Sequence, residues 1–345
     1  MKRIRVFLGG YINYTNAQNI NCKDLAEHLN NNKYQVFSLQ TCFGDQIDLR
    51  VNTFFCFRPF RASKHIGFLW GLLKCDVAYL PKHVDTPLWV LRLAKILKKP
   101  IFTTIEGNVK DKSLPNLVDL FGSEYKMKKH FSYITKIFGI TNFIKVNTAS
   151  LINMQDKILH LGVNINNFTP SRKLKLGSVV FVGSLIKRKN VQEFIDLARC
   201  YPNLCFNLIG DGEMMELLKV NSTNNIIFHG SLTHAAINDI FKLCDLIFLP
   251  SKSEGFPKVI LEAASAGIPA VVYNTYGASE WIKNEHNGYI VNDINEVMQL
   301  IDKLIERPDL LEKVSKNALK LANKFSWKFV IKSWEKVIEN LYYAK

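Results

Sequence analysis

The sequence VVFVGSLIKRKN, residues 179–190, joins an apolar run to a glycine and then to a short basic segment. A short and continuously apolar run predicts a β-strand that is buried on both faces. The glycine after it permits a tight turn in which the backbone can approach a ligand closely. The start of the chain has the same order, because the run at residues 4–8 is followed by Gly9 and Gly10. This repetition predicts two domains of similar construction.

Other short apolar runs follow each of these two strands, and segments long enough for a helix separate them. Buried strands that alternate with helices form parallel sheets covered on both faces. The predicted strands of the first half are residues 4–8, 36–39, 77–80, 101–105 and 143–146, and those of the second half are 179–182, 206–209, 226–228, 246–249, 270–273 and 289–291. The sequence therefore predicts an α/β protein with two doubly wound, Rossmann-like domains.

The join between the domains is expected between residues 161 and 171. We predict an N-terminal domain at residues 1–170, a C-terminal domain at 171–325 and, at 326–345, a helix that packs back on the N-terminal domain. Open α/β sheets bind ligands beyond the carboxyl ends of their strands. A protein with two such domains is therefore expected to hold its site in the cleft between them.

The composition excludes several classes of protein. With 345 residues, of which 48% are hydrophobic and 22% charged, the chain is neither disordered nor fibrous. Its longest apolar stretch, residues 66–73, is much shorter than the roughly 20 residues that a membrane-spanning helix needs. The seven cysteines include no CxxC pair and no zinc-ligand spacing, which predicts reduced thiols and a cytoplasmic protein.

The positive charge is concentrated in the first half of the chain. Of the net charge of +15, residues 1–170 contribute +12 and residues 171–345 contribute +3. Nucleic acid, an anionic membrane surface or an anionic substrate could each explain this excess. Because the charges are scattered and no nucleic-acid-binding motif accompanies them, we do not expect nucleic acid as a partner.

One basic and apolar segment has two interpretations. Arg58, Arg61 and Lys64 precede the apolar stretch at residues 66–73. Basic residues beside an aromatic, apolar stretch are typical of a membrane-surface element, which would give peripheral contact with an anionic membrane. The same pattern fits a core helix before the strand at residues 77–80, and we favour this second interpretation slightly.

Two carboxylates lie close together in the sequence SEGFPKVILEA, residues 253–263. Glu254 belongs to a loop with glycine and proline, and Glu262 belongs to a helix that is expected to begin near Pro257. This spacing allows one carboxylate to meet a ligand from the loop and the other to meet it from the helix. The backbone N–H groups of the first helical turn lie between them and favour an anion.

With AGIP following at residues 266–269, this stretch resembles the retaining glycosyltransferases of the GT-B fold that form family 4 of the nucleotide-sugar-dependent enzymes. The resemblance implies two Rossmann-like domains that face a cleft. It also implies that Glu254 lies near the hydroxyls of the donor sugar and that Glu262 binds the ribose of the nucleotide. The backbone of Gly255 and Phe256 would then approach the donor sugar or the diphosphate.

The segment at residues 181–190 is similar to a second motif of this family. Gly183 corresponds to the glycine after the strand, and Lys189 corresponds to the lysine that neutralises the diphosphate. The family usually has arginine immediately after the glycine, whereas this chain has Ser184. We therefore expect a weaker or rearranged phosphate clamp at Gly183, Ser184 and Lys189, in which Lys187 and Arg188 are the two candidates for the replacement cation.

Four further glycines correspond to family loops. Gly210 and Gly230 follow the strands at residues 206–209 and 226–228, where similar enzymes surround the nucleobase with backbone groups. Gly9 and Gly10 fit the glycine-rich loop after the first strand, whose N–H groups would stabilise the departing phosphate. A turn without a ligand is the alternative interpretation of these two glycines.

Glu106 occupies a position where many relatives have a histidine, after the strand at residues 101–105. Its carboxylate could accept the proton of the acceptor hydroxyl or position a sugar hydroxyl, and the sequence does not decide between these roles. Retention in this family is usually described as front-face substitution, in which the departing diphosphate helps to take the proton.

The resemblance implies a retaining glycosyltransferase that moves a sugar from a nucleoside diphosphate sugar, with UDP favoured, to a glycan or lipid-linked glycan acceptor. The expected setting is bacterial surface polysaccharide or lipopolysaccharide synthesis, at the inner face of the cytoplasmic membrane. No Asp-x-Asp motif occurs, so we expect no metal, and no cofactor besides the co-substrate. The alternatives are a GT-B-fold nucleotide-sugar epimerase and a non-enzymatic protein that binds polyanions.

Overall fold

The computed structural model describes residues 2–14, 16–44, 51–107, 116–171 and 173–344. The chain divides into two compact units, the first comprising Met1–Gly162 with Trp327–Lys345 and the second Val163–Ser326. The division between Gly162 and Val163 falls within residues 161–171, where the join between the domains was expected. It lies earlier in the chain than the predicted boundary at residues 170–171.

The first unit contains a parallel sheet of six strands within the described residues, in the order β3-β2-β1-β4-β5-β6. The strands are β1 (Ile4–Tyr11), β2 (Tyr34–Thr41), β3 (Asn52–Cys56), β4 (Val77–Tyr79), β5 (Ile101–Ile105) and β6 (Lys136–Gly139). The helices between them are α1 (Ala17–His28), α2 (Phe60–Lys74), α3 (Leu88–Ile96), α4 (Leu117–Phe121), α5 (Glu124–Phe131) and α6 (Asn142–Thr148). The central strands are buried, as expected for a sheet covered on both faces.

The second unit contains a parallel sheet of the same size among the described residues, in the order β12-β11-β10-β7-β8-β9. Its strands are β7 (Ser178–Val182), β8 (Cys205–Ile209), β9 (Ile226–Gly230), β10 (Leu246–Leu249), β11 (Ala270–Tyr273) and β12 (Tyr289–Val291). Its helices are α7 (Gln192–Cys200), α8 (Met215–Val220), α9 (His234–Leu243), α10 (Lys258–Ser265), α11 (Ile294–Glu306) and α12 (Pro308–Lys324). The predicted α/β class with two doubly wound sheets is confirmed.

The last helix, α13 (Trp327–Tyr343), groups with the first unit. Trp327 and Trp334 are its largest buried side chains, and the indole N–H of Trp334 donates to the carbonyl of His160 over 2.9 Å. The ring of Trp334 also packs edge-on against Tyr79 at 5.0 Å between centroids. Gly162 lies directly against Trp327, because a Cβ built on this glycine would be 2.4 Å from the indole. Aromatic packing therefore attaches α13 to the unit that contains β4.

Two sequence expectations about the first sheet are wrong. Residues 143–146, predicted as a strand, lie in helix α6, and the strand comes earlier, at β6. Thr141 caps this helix because its side chain accepts a hydrogen bond from the backbone N–H of Ile144, and a cap of this kind starts a helix irrespective of its apolar content. The prediction also omitted β3, an edge strand in which Cys56 alone is buried although residues 54–57 are apolar.

The basic and apolar segment forms helix α2, and the packing of this helix confirms the core-helix interpretation. Phe68 and Leu72 are buried in the core of the first unit, and the ring of Phe7 fills the space beside Gly71. Ile66 and Leu73 remain about half exposed. Among the described residues, no helix combines the length with the apolar character needed to cross a membrane.

Candidate active site

An ion-paired carboxylate lies at the centre of the predicted donor site in the second unit. One Glu254 oxygen accepts a hydrogen bond from the Lys189 ammonium at 2.5 Å, and the other lies 3.0 Å from a guanidinium nitrogen of Arg188. The Glu254 side chain is 8% exposed, and that of Lys189 is 11% exposed. Because a buried carboxylate is costly without a partner, the two cations are required for Glu254 to stay ionised.

The charge state of Glu254 follows from opposing effects. Burial alone raises the pKa of the carboxyl, but the positive charges of Lys189 and Arg188 outweigh burial and hold the pKa below its ordinary value. Glu254 is therefore an anion at neutral pH, able to accept hydrogen bonds from the hydroxyls of a ligand.

Two loops position this cluster. After β7, residues Lys187–Lys189 form a single 3₁₀ turn that ends at Asn190 in the left-handed conformation (φ +52°). The backbone N–H of Lys252 donates to the Arg188 carbonyl at 3.0 Å, and the Arg188 guanidinium donates to the Ser253 carbonyl. Helix α7 begins only at Gln192, so Lys189 lies in the 3₁₀ turn that precedes this helix. The tight turn brings both cations to the loop after β10.

The predicted glycine loops lie side by side at the carboxyl ends of β7, β8 and β9. The N–H of Gly183 donates to the Ile209 carbonyl at 3.0 Å, and the N–H of Gly210 donates to the Gly230 carbonyl at 2.8 Å. Ser184, the residue that replaces the arginine of the family, is exposed. The three loops predicted to surround the donor are therefore brought together.

Gly210 cannot be replaced without a collision. Its φ is +141°, and a Cβ there would lie 1.8 Å from the carbonyl oxygen of Gly183. We expect Gly210→Ala to lower the free energy of unfolding by about 2 kcal/mol, because strain and a steric clash add together. Gly230→Ala is the control, since Gly230 also has a positive φ (+66°) but no atom within 4 Å of the added Cβ. If urea unfolding gave the same loss of unfolding free energy for both variants, the steric clash would not be the cause of the loss.

Glu262 occupies helix α10 and faces a histidine. The Glu262 carboxylate lies 3.4 Å from Nε2 of His234, the first residue of α9, and its side chain is 15% exposed. Helix α10 begins at Lys258, directly after Pro257, as the sequence predicted. The carboxylate thus remains within reach of solvent, as a group that binds ribose hydroxyls requires.

Phe256 anchors the loop between the two glutamates. The side chain is buried and packs against Trp281 and Phe325, with 5.1 and 5.4 Å between ring centroids. The phenyl ring therefore holds the loop on the protein, and the backbone of Gly255 and Phe256 is the part that a ligand can approach.

Two residues near these glutamates, His234 and Tyr276, belong to no motif of the sequence. His234 gave no signal, because only the folding of α9 beside α10 brings it to Glu262. Tyr276 lies in the turn after β11 and is buried, and burial together with the negative charge of Glu254 raises the pKa of its hydroxyl. Its hydroxyl donates no hydrogen bond to any group in the described part of the chain. Tyr276 is thus a buried hydroxyl close enough to Glu254 to feel its charge, with no hydrogen-bond partner in the described structure.

Gly9 and Gly10 differ from the sequence expectation. Both lie inside β1 instead of in a loop after it, and both are buried. A Cβ on Gly9 would lie 2.5 Å from the Leu80 side chain, and one on Gly10 would lie 2.7 Å from the sulfur of Cys22. Close packing therefore explains the two glycines in this unit, and their role in phosphate binding stays a prediction.

Glu106 directly follows β5 and ends a chain of hydrogen bonds in the first unit. Its carboxylate accepts from the Thr104 hydroxyl at 3.0 Å and from the Tyr79 hydroxyl at 3.4 Å. The Asn21 amide donates to the same Tyr79 hydroxyl at 3.1 Å. These contacts fix the carboxylate at the carboxyl end of the sheet, where ligands of doubly wound domains bind.

Two buried histidines adjoin this network. The His83 ring donates from Nε2 to the Thr104 carbonyl at 3.2 Å, and its ring centroid lies 6.0 Å from that of His130. Burial, with a smaller contribution from His130, lowers the pKa of His83 to about 3, and burial lowers the pKa of His130 to about 4. Both rings are therefore neutral at pH 7. Within the described residues, no group of three or more His, Cys, Asp or Glu side chains is arranged to hold a metal ion.

Comparison with known proteins gives a family match for the second unit. Residues 166–321 match the family described as glycosyl transferases group 1. An uncharacterized glycosyltransferase of Methanocaldococcus jannaschii is 25% identical over 66% of this chain and 69% of its own length. The UDP-Gal:alpha-D-GlcNAc-diphosphoundecaprenol alpha-1,3-galactosyltransferase of Escherichia coli is 32% identical over 55% of this chain. The chain spans only 54% of that relative.

A longer match and two solved structures complete the comparison. The N,N'-diacetylbacillosaminyl-diphospho-undecaprenol alpha-1,3-N-acetylgalactosaminyltransferase of Campylobacter jejuni is 26% identical over 82% of this chain and 84% of its own length. Sucrose-phosphate synthase of Thermosynechococcus elongatus superposes with a TM-score of 0.85 at 15% identity, covering 99% of this chain and 100% of that one. HepE of Anabaena, in complex with UDP and glucose, gives a TM-score of 0.78 at 17% identity, covering 98% and 100%.

At these identities the two solved structures establish the fold alone. The family match covers the unit that holds the ion-paired Glu254, and the named sequence relatives are glycosyltransferases. Taken together, the sheets, the family match and the relatives support a glycosyltransferase with a GT-B fold.

Proposed function

We propose that the protein is a retaining, metal-independent glycosyltransferase that transfers a sugar from a UDP-sugar to a lipid-linked or other glycan acceptor. The observation that carries this proposal is the buried Glu254 carboxylate, held between Lys189 and Arg188 in the unit that matches the family. A fixed anion beside two cations suits a ligand that has sugar hydroxyls next to a diphosphate.

The choice of UDP and of a lipid-linked acceptor is supported by named relatives. The name of the E. coli relative gives UDP-galactose as its donor and a diphosphoundecaprenol-linked sugar as its acceptor. The C. jejuni relative likewise carries a diphospho-undecaprenol acceptor in its name. HepE is described in complex with UDP and glucose. We assign the same classes of donor and acceptor to this chain, in the synthesis of bacterial surface polysaccharide or lipopolysaccharide.

The proposed reaction proceeds on one face of the donor sugar. The bond from the anomeric carbon to the diphosphate oxygen breaks, and a bond from the same carbon to the acceptor oxygen forms on the same face. The acceptor proton passes to the departing phosphate oxygen, so no separate base is required. Lys189 and Arg188 stabilise the negative charge that develops on the diphosphate, and Glu254 orients the hydroxyls of the sugar.

The proposal also assigns roles to Glu262, to the glycine loops and to Glu106. Glu262 accepts hydrogen bonds from the ribose, while the loops of Gly183, Gly210 and Gly230 present backbone groups to the nucleotide. In the first unit, Glu106 positions an acceptor hydroxyl. We place the protein in the cytoplasm at the inner membrane face, because a lipid-linked acceptor lies there and residues 1–170 carry a net charge of +12.

A transfer assay tests the proposal directly. The protein is incubated with UDP-, GDP- or ADP-sugars and a synthetic prenyl-diphosphate-linked sugar, with and without EDTA. We expect product from a UDP-sugar, undiminished by EDTA, with the anomeric configuration of the donor retained in the proton NMR spectrum. Inversion would overturn the retaining mechanism, and loss of activity in EDTA would overturn metal independence. Epimerised donor without transfer would instead indicate an epimerase.

A further inference from the structure

The first unit contains a large cavity away from the carboxyl end of its sheet. The cavity has a volume of about 1080 Å³, comparable to the upper range of sites for small ligands. Pro100 and Thr135, the residues directly before β5 and β6, line it together with the end of α3 and the last turns of α13. Glu106 follows β5 at the other end of the same strand. The cavity is therefore distinct from the edge of the sheet that holds Glu106.

Positive charge dominates the wall of this cavity. Six lysines line it, namely Lys95, Lys98, Lys99, Lys136, Lys157 and Lys336. Asp156 is the only acidic residue among the described lining residues, and its carboxylate is paired with Lys145 at 2.9 Å. Asp156 therefore does not offset the charge of the six lysines.

Not all of these lysines are equally available to a ligand. The Lys99 ammonium donates to the carbonyls of Leu72, Leu73 and Cys75 at the end of α2. These three hydrogen bonds use all three N–H groups of the ammonium. Lys157 makes one long hydrogen bond, to the Ser333 carbonyl at 3.5 Å, and partial burial together with repulsion from Lys336 lowers the pKa of its ammonium. An anion between these two lysines would remove their mutual repulsion.

Much of the remaining wall is apolar, although Ser132, Thr135, Gln155 and Asn340 also line it. Ile134, Phe138, Val337 and Leu341 contribute aliphatic and aromatic surface beside the lysines. A free inorganic anion would leave this surface exposed to water, whereas an amphiphilic anion would cover it. Lysine ammonium groups are suited to phosphate as point charges that several oxygens can share.

We propose that this cavity binds a phosphate-bearing amphiphile, a molecule in which a phosphate or diphosphate group is joined to an apolar chain. The phosphate lies between Lys157 and Lys336, and the chain lies along Ile134 and Leu341. A membrane lipid headgroup and a soluble alkyl or prenyl phosphate share this chemistry. The site is separate from the proposed donor site, so its existence does not depend on the reaction proposed above.

The test uses the full chain and defined probes. Binding of dodecyl phosphate, below its micelle concentration, and of inorganic pyrophosphate is measured by calorimetry with and without UDP. The cavity variant is Lys157→Ala with Lys336→Ala. The control is Lys328→Ala with Lys332→Ala, which removes the same charge from exposed positions of α13 outside the cavity lining. Because Lys157 and Lys336 repel each other, we expect the cavity variant to fold, which its melting temperature verifies.

We expect dodecyl phosphate to bind more tightly than pyrophosphate, without competition from UDP. The cavity variant should bind it at least about tenfold more weakly, since two charge-assisted contacts are lost, and the control should bind it as the wild type does. Equal affinity of the two variants would overturn the site, and equal affinity for the two probes would overturn its amphiphilic character. Displacement by UDP would show that dodecyl phosphate binds at the donor site and would also overturn the proposal.

Vesicles distinguish the two sources of such a ligand. We compare flotation with vesicles of phosphatidylcholine alone and of phosphatidylcholine with phosphatidylglycerol. Binding that needs phosphatidylglycerol and is lost in the cavity variant, but kept in the control, assigns the cavity to a membrane lipid. Binding of dodecyl phosphate without vesicle binding assigns it to a soluble phosphate ester. Both results support the cavity as a phosphate site, and failure of the glycosyl transfer assay would leave either of them intact.

Discussion

Glu254→Gln is expected to lower kcat by about 10²–10³-fold while leaving UDP affinity equal to or tighter than that of the wild type. The substitution keeps the shape of the side chain and removes the charge that Lys189 and Arg188 neutralise. The orientation of the sugar hydroxyls is then weakened, whereas the two cations become more available to the diphosphate. Kinetics at saturating donor measure the first effect, and calorimetry with UDP measures the second.

Glu262→Gln is the matched comparison, since it removes the same charge from the other glutamate of the motif. If Glu262 binds the ribose, UDP affinity should fall by roughly tenfold or more, because a hydrogen bond to a charged group contributes about 1.5–3 kcal/mol. Its kcat at saturating donor should change much less. The opposite outcome, with UDP binding lost in Glu254→Gln and kept in Glu262→Gln, would reverse the two assignments.

Lys189→Ala is expected to lower the free energy of unfolding by about 3 kcal/mol at neutral pH, the low end of the range for breaking a buried ion pair. The substitution removes the closer of the two cations beside Glu254, while Arg188 remains. The control is Lys187→Ala in the same turn, because Lys187 is exposed and should change stability by less than about 0.5 kcal/mol. Urea unfolding of the three proteins measures the difference.

The effect of Lys189→Ala should also depend on pH. The pKa of folded Glu254 lies below its ordinary value of 4.5, so the stability from its ionised form is present above that pH. This stability is lost as the pH falls through the lowered pKa and Glu254 becomes protonated. The gap between wild type and Lys189→Ala should therefore narrow below about pH 4.5. A gap that stayed constant down to pH 3 would show that the loss of stability does not come from the ion pair.

Local sequence predicted most of the sheets because their strands are buried on both faces. Such strands need a continuous apolar run, and the segments at 179–182 and 101–105 have one. The same rule failed at residues 143–146, where the Thr141 cap begins a helix. The prediction also missed Asn52–Cys56, an edge strand that is only partly buried although its second half is apolar.

The sequence by itself determined the α/β class and the positions of all strands except β3 and β6, and its family-like motifs indicated Glu254, Glu262 and Lys189 as candidate donor-site residues. These features rest on residue type and on spacing over fewer than about fifteen residues, where helix and strand geometry limit the outcome. The glycine after β8 has a purely steric reason, since a Cβ on Gly210 would collide with the backbone of Gly183 and only glycine fits there.

Only the tertiary structure decided which groups meet. Lys189 pairs with Glu254 across 65 residues of chain, Arg188 pairs with the same carboxylate, and His234 approaches Glu262 because α9 packs where it does. The lysine cavity likewise depends on α13, which returns to the first unit after the whole of the second. Contacts of this range are set by the packing of whole elements, and no local pattern encodes them because burial and pairing energies depend on residues that are distant in sequence.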